Sequence, residues 1–123
     1  MILVDSSVWI DHLRARDEVL MSLLVERRVA GHPFILGEVA LGSIANRDVV
    51  VEQLKELPQL AVAEDAEVMA LIDRHRLFGR GIGYVDAHLL AAVRLTPAAG
   101  IWTRDRRLHQ AAVELDVASG VLH

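Results

Sequence analysis

Cysteine is absent from this chain of 123 residues. A disulfide framework, a thiolate nucleophile and any cysteine-based zinc site are therefore excluded. The absence suits a reducing cytoplasm, which is the expected location. Long hydrophobic runs are missing as well, since the apolar stretches fall far short of the ~20 residues that a bilayer-spanning helix needs. No membrane partner is expected. The N-terminal stretch MILVDSSVWIDHLR lacks a basic leading region and carries an acid at position 5, so it does not read as a signal peptide. Positive charge is not in excess either. Thirteen basic and seventeen acidic residues give a formal charge of −4, which disfavours an electrostatic grip on long duplex DNA.

Several motifs are missing too. No Gly-Lys-Ser or Gly-Lys-Thr phosphate loop is present, so nucleotide hydrolysis has no support. The histidines at 12, 32, 75, 88, 109 and 123 form no i,i+4 pair, which argues against a zinc hydrolase. Gly79, Gly81 and Gly83 follow a predicted helix and lack dinucleotide-loop spacing, so their role is to let the chain turn.

What the chain does have is apolar residues, at 53% of the total. A domain of this size buries roughly 65–70% of its unfolded surface, so one domain over residues 1–123 is expected, with apolar surface to spare for a partner. Met1 to Val4 reads as a buried strand that ends in the polar turn Asp5-Ser6-Ser7. Ser7 is a candidate helix cap, and Asp17 a second one for a helix reaching Val29. Pro33 to Leu36 reads as a second strand, followed by a short helix from Glu38 to Ile44. Further helices are expected over 48–57, 64–77 and 85–95, and from Asp105 to about Val113. Leu60–Ala63 and Gly100–Thr103 read as strands, and Leu115–His123 as an added edge strand. The alternation predicts an α/β fold of three layers, with a short, mostly parallel central sheet between helices.

Four acids fall at the ends of these elements. Asp5 follows the first strand, Glu38 the second, and Asp105 the strand Gly100–Thr103, while Asp86 lies in the first turn of its helix. Strand ends of a parallel sheet share one crevice, so acids distant in sequence can converge there. Converging carboxylates repel unless a cation lies between them, and Mg²⁺ and Mn²⁺ accept all-oxygen ligands. Metal-assisted phosphodiester hydrolysis by water follows as the chemical reading. An acid at a helix start is equally a cap, a bland alternative that fits Glu38 well and Asp5 least, and pattern alone leaves both open.

The segments Leu3-Val4-Asp5-Ser6-Ser7-Val8-Trp9-Ile10-Asp11, Glu38-Val39 with Leu41-Gly42, Gly83-Tyr84-Val85-Asp86-Ala87-His88, and Trp102-Thr103-Arg104-Asp105-Arg106-Arg107-Leu108 carry a resemblance. In order and spacing the chain resembles a PIN domain, and within that family the VapC toxins of type II toxin–antitoxin pairs. The resemblance implies that Asp5, Glu38, Asp86 and Asp105 form a catalytic Mg²⁺ or Mn²⁺ site, with Thr103 as the small hydroxyl residue beside it. It implies an endoribonuclease acting on cellular RNA to depress translation, usually as a homodimer. It further implies a VapB-like antitoxin that covers hydrophobic grooves and reaches operator DNA on the pair's behalf. Arg80, Arg104, Arg106 and Arg107 become candidates for RNA phosphate contact, although Arg106 or Arg107 pairing with Glu114 is an equal alternative. Two other functions stand beside this one. The first is a PIN-type nuclease without an antitoxin, in RNA processing or DNA cleavage. The second is a non-enzymatic module stabilised by metal.

Overall fold

The computed structural model describes residues 1–121. Its sheet has three parallel strands, β1 (Ile2–Val4), β2 (Val29–Ala30) and β3 (Gly100–Trp102), in the order β2-β1-β3. Central β1 sets Leu3 beside Ala30 on one side and Ile101 on the other. Every residue of β1 is buried, as parallel strands covered on both faces must be. Single bridges widen the sheet, joining Gly31 to Gln59 and Ile101 to Ala118. The two brief strands expected near residues 60–63 and 115–123 are thus reduced to one-residue pairings at these positions. Leu122 and His123, the end of the second, lie outside the described residues.

Seven helices surround the sheet among the described residues: α1 (Ser6–Arg14), α2 (Glu18–Val25), α3 (Pro33–Ala40), α4 (Arg47–Lys55), α5 (Asp65–His75), α6 (Tyr84–Arg94) and α7 (Arg106–Glu114). The fold is α/β with a short parallel sheet between helices. Leu3, Val4, Val8, Leu20, Leu89, Leu90, Ile101 and Leu108 are all at or near zero exposure and form its core. Two caps come from acids that the sequence marks. Asp17 accepts from the Leu20 amide ahead of α2, and Asp105 accepts from the Arg107 and Leu108 amides ahead of α7.

The segment from Val25 to Leu36 departs from the sequence reading. The helix expected to reach Val29 stops at Val25, because Arg27 takes a left-handed conformation (φ 57°) that turns the chain out of the helix. Val29 and Ala30 then pair with β1. Pro33, read as part of a strand, instead opens α3, where its missing N–H is no loss and its fixed φ is already helical. His32 supplies the cap, its Nδ1 accepting from the Phe34 amide at 3.0 Å. An imidazole cap is not among the usual signals, and for that reason the helix start was hidden. Glu38 consequently sits inside α3 rather than just past a strand.

The sheet order reverses at β1, so the carboxyl ends of β1 and β3 open side by side, at the place where parallel sheets bind ligands. Gly100 lets β3 be approached closely on its other flank. A Cβ there would lie 2.7 Å from Ser119 Cα and 3.1 Å from its nitrogen. These are backbone atoms held by the Ser119 amide on Ile101 O, so no side chain can swing aside. Gly100→Ala is expected to cost about 1–3 kcal/mol, measured as a lower midpoint in urea unfolding.

His32 is 1% exposed. Burial, aided by the nearby His88 imidazole, pushes its pKa down to about 4. The unfolded chain takes up this proton near pH 6.5, so between those values the unfolded state binds the extra proton and stability falls as pH falls. Asn caps helices well. His32→Asn should therefore flatten the dependence of unfolding free energy on pH across this window, as read by denaturant titrations at successive pH values.

Candidate active site

Asp5 occupies the residue before α1, yet its side chain makes no capping bond. It is 5% exposed, and its Oδ2 accepts hydrogen bonds from Ser7 Oγ and from Thr103 Oγ1, each at 2.8 Å. Each hydroxyl in turn accepts a backbone N–H from the turn after β3: Arg104 N reaches Ser7 Oγ at 3.1 Å, and Asp105 N reaches Thr103 Oγ1 at 3.1 Å. The Asp5 amide closes the arrangement by donating to Trp102 O at 2.9 Å. A buried carboxylate would be costly unless hydrogen-bonded. Here two hydroxyls relay it to the backbone of the neighbouring strand end.

The other acids gather around this centre. Ser6, next to Asp5, donates to Glu38 Oε1 at 3.2 Å. The Glu38 carboxyl is pushed above its usual range, first by burial and then by the Asp5 charge, with Asp86 adding to it and the Ser6 hydrogen bond opposing. Asp86 is pushed up as well, by burial first and then by Asp5 and Asp105, while its bond from the Gly83 amide opposes the shift. Glu38 thus feels the charges of Asp5 and Asp86, and Asp86 those of Asp5 and Asp105. Glu38 and Asp105 are exposed, Asp86 is half-buried, and Thr103 is fully buried.

Convergence stops short of a finished metal cage. Among the described residues, no three acidic or histidine side chains form a group that could hold a metal ion as they stand. Their present partners explain the spread: Glu38 leans on Ser6, Asp86 on the Gly83 amide, and Asp105 on the α7 amides. Like charges favour such separate anchors. The donors are nonetheless all carboxylate or hydroxyl oxygen, the set that a hard divalent ion prefers, and the pressure on Glu38 and Asp86 is the kind that a cation relieves.

Ser7, read from the sequence chiefly as a cap, lies within α1 and serves Asp5 instead. Of the four arginines, Arg80 pairs with Glu114 and Arg104 with Asp11 and Asp17. Glu114, the alternative partner weighed for Arg106 or Arg107, is taken by Arg80. Among the described residues no ion pair involves Arg106 or Arg107, and the Arg107 guanidinium packs over Gly81. The sequence offered no signal for Asp11 and Asp17 as partners of Arg104, because 93 and 87 residues separate them. It likewise gave no signal for the contacts of Tyr84, whose hydroxyl bonds Asp65 at 2.9 Å while its ring meets buried His88 edge-on.

Residues 2–114 match the PIN domain. Ribonuclease VapC32 from two strains of Mycobacterium tuberculosis, CDC 1551 / Oshkosh and ATCC 25618 / H37Rv, is 52% identical to this chain over 118 residues. That span is 96% of this chain and 95% of the relative in each case. A hydroxyethylthiazole kinase from Yersinia enterocolitica is 32% identical over 78 residues, but they make up only 30% of that protein and 63% of this one, too little to assign a family. With both ribonucleases aligned almost end to end and the PIN match spanning β1 to α7, the chain belongs to the PIN-domain family, among the VapC-type ribonucleases of toxin–antitoxin systems.

Proposed function

We propose that this protein is the toxin of a type II toxin–antitoxin pair, an endoribonuclease that depends on Mg²⁺ or Mn²⁺ and lowers translation by cutting RNA. The observation that carries the reading is the buried Asp5 carboxylate, which stands where a cap would stand but is turned to Ser7 and Thr103. A structural acid at that position would bond the helix amides, as Asp105 does.

Asp5, Asp86, Asp105 and Glu38 are the residues that would hold the cation, Asp5 and Asp86 most directly. A bound ion of this class lowers the pKa of water and neutralises phosphate charge. The chain's own residues do the rest. Ser7 and Thr103 fix the direction of Asp5 through hydroxyls that are themselves held by backbone amides. Glu38, with one carboxylate oxygen left open by Ser6, orients the attacking water. Arg106 and Arg107 follow Asp105 and meet RNA phosphates, beside an open depression lined by Arg104, Arg106, His109 and Gln110.

The partner surface we propose for a VapB-like antitoxin is a groove of Trp9, Leu13, Met21, Leu24, Val50 and Leu57 between α1, α2 and α4. Its apolar lining suits an amphipathic segment. A homodimer, a single PIN domain spanning the chain, a cytoplasmic setting and contact with operator DNA only through the antitoxin complete the reading. No helix among the described residues is long and apolar enough to cross a membrane.

Purified protein should cleave structured RNA at discrete sites with Mg²⁺ or Mn²⁺, and EDTA should stop it. Asp5→Asn and Asp86→Asn should each remove most cleavage while preserving the fold. Thr103→Val, which deletes a supporting hydroxyl and no ligand, should lower activity about 10- to 100-fold. Undiminished cleavage by Asp5→Asn would reject the reading.

Stability gives a second test, one that does not depend on turnover. A carboxyl whose folded pKa is raised contributes stability below its unfolded pKa and loses it as pH rises through the folded value. At pH 7 the metal-free protein therefore carries a penalty at Glu38 and Asp86. Glu38→Gln and Asp86→Asn are expected to raise the metal-free melting temperature by about 1–4 °C, and to abolish the increase that Mn²⁺ gives the parent protein. Scanning fluorimetry with and without Mn²⁺ reads both effects.

A further inference from the structure

Arg104 stands between Thr103 and Asp105, where a basic residue invites an RNA-binding role. Its surroundings argue otherwise. Nη1 donates to Asp11 Oδ2 at 2.9 Å and Nη2 to Asp17 Oδ2 at 2.5 Å. One positive charge thus faces two negative ones, and a phosphate arriving there would meet a net negative group. The guanidinium also lies 5.6 Å from the centroid of the buried Trp102 ring. The Arg104 side chain is only 28% exposed and that of Asp17 19%, so water screens the pair less than it would at the open surface.

The three partners belong to different parts of the chain. Asp11 lies in α1, Asp17 caps α2 through its other oxygen, and Arg104 lies in the turn after β3. Both hydrogen-bonded arms pull that turn toward the α1–α2 corner. The backbone of the same turn supplies the two N–H groups that hold Ser7 and Thr103, and these hydroxyls hold Asp5.

We propose that Arg104 is a positioning residue of the acidic site and not an RNA contact: Asp11 and Asp17 hold its guanidinium so that the Thr103–Asp105 turn keeps Asp5 and Asp105 in register. The forked guanidinium is needed for this, because it reaches two carboxylates at once, which an ammonium on a flexible stem does not reproduce. The kinetic part of the proposal rests on the ribonuclease reading, whereas the structural part does not.

Three variants separate the two roles: Arg104→Ala, Arg104→Lys, and Asp11→Asn combined with Asp17→Asn, where Asn retains the α2 cap. Under the positioning role all three lower kcat by about 10- to 100-fold and leave KM for RNA within about twofold. They also speed amide hydrogen exchange in residues 103–108, measured without metal or RNA. The salt dependence of RNA binding, measured in EDTA, stays unchanged for Arg104→Ala. An RNA-contact role gives the opposite pattern. Arg104→Ala then raises KM and flattens the salt slope by about one, Arg104→Lys keeps most activity, and the double Asp variant binds RNA more tightly because the arginine is freed. Any of these results overturns the proposal. Should Arg104→Ala fail to fold, Arg104→Lys and the double variant still give opposite answers. If the parent protein cleaves no RNA, the ribonuclease reading fails on its own, and the exchange rates of residues 103–108 still decide whether the clamp exists.

Discussion

A carboxylate buried at the end of a hydrophobic strand must be paired or it would not stay charged. In this protein the pairing is made by two hydroxyls, Ser7 and Thr103, each donating a hydrogen bond to the same oxygen of Asp5. Much of the fold serves that requirement. The register of β1 against β3 puts Val4 beside Trp102, so the residues that follow, Asp5 and Thr103, emerge together. The first turn of α1 then folds back to bring Ser7 under the carboxylate. The amides that would otherwise be orphaned in the turn after β3 are taken up by the same two hydroxyls. One set of hydrogen bonds thus joins the start and the end of the chain and fixes the direction of the most buried acid.

Around this fixed point the other three acids are held more loosely. Glu38 hangs from a helix by one serine contact, Asp86 leans on a single amide at 3.3 Å, and Asp105 divides its role between capping and the crevice. The contrast is useful chemically. Under the proposed function, a fixed Asp5 with adjustable companions would suit an ion and a phosphate whose positions shift during hydrolysis. It also leaves charge repulsion unrelieved in the free protein, visible in the upward pressure on Glu38 and Asp86. The site is a region of stored electrostatic tension at the edge of the core.

The sequence announced some of this and concealed the rest, for identifiable reasons. Asp5 and Asp105 were legible because each ends an apolar run that could only be a buried strand. Asp86 was legible through the glycines before it and the apolar helix after it. Glu38 was singled out on a mistaken element: proline in the first turn and a histidine cap disguised α3 as a strand, and the acid still faced the crevice because the helix runs out from the same edge of the sheet. Ser7 looked like an ordinary cap, since the Arg104 amide that steadies its hydroxyl on Asp5 is 97 residues away. The Arg104 contacts were invisible for the same reason. Local pattern records what a residue does for its own element, whereas the finer geometry here depends on contacts across the whole chain.

The long separation within the hydroxyl relay has a consequence for biosynthesis. Asp5 is made 98 residues before Thr103 and the turn that steadies it. A nascent chain lacking them presents Asp5 with neither its second hydroxyl nor the strand beside it. The Asp5 arrangement therefore stays incomplete until β3 and the turn after it have been made.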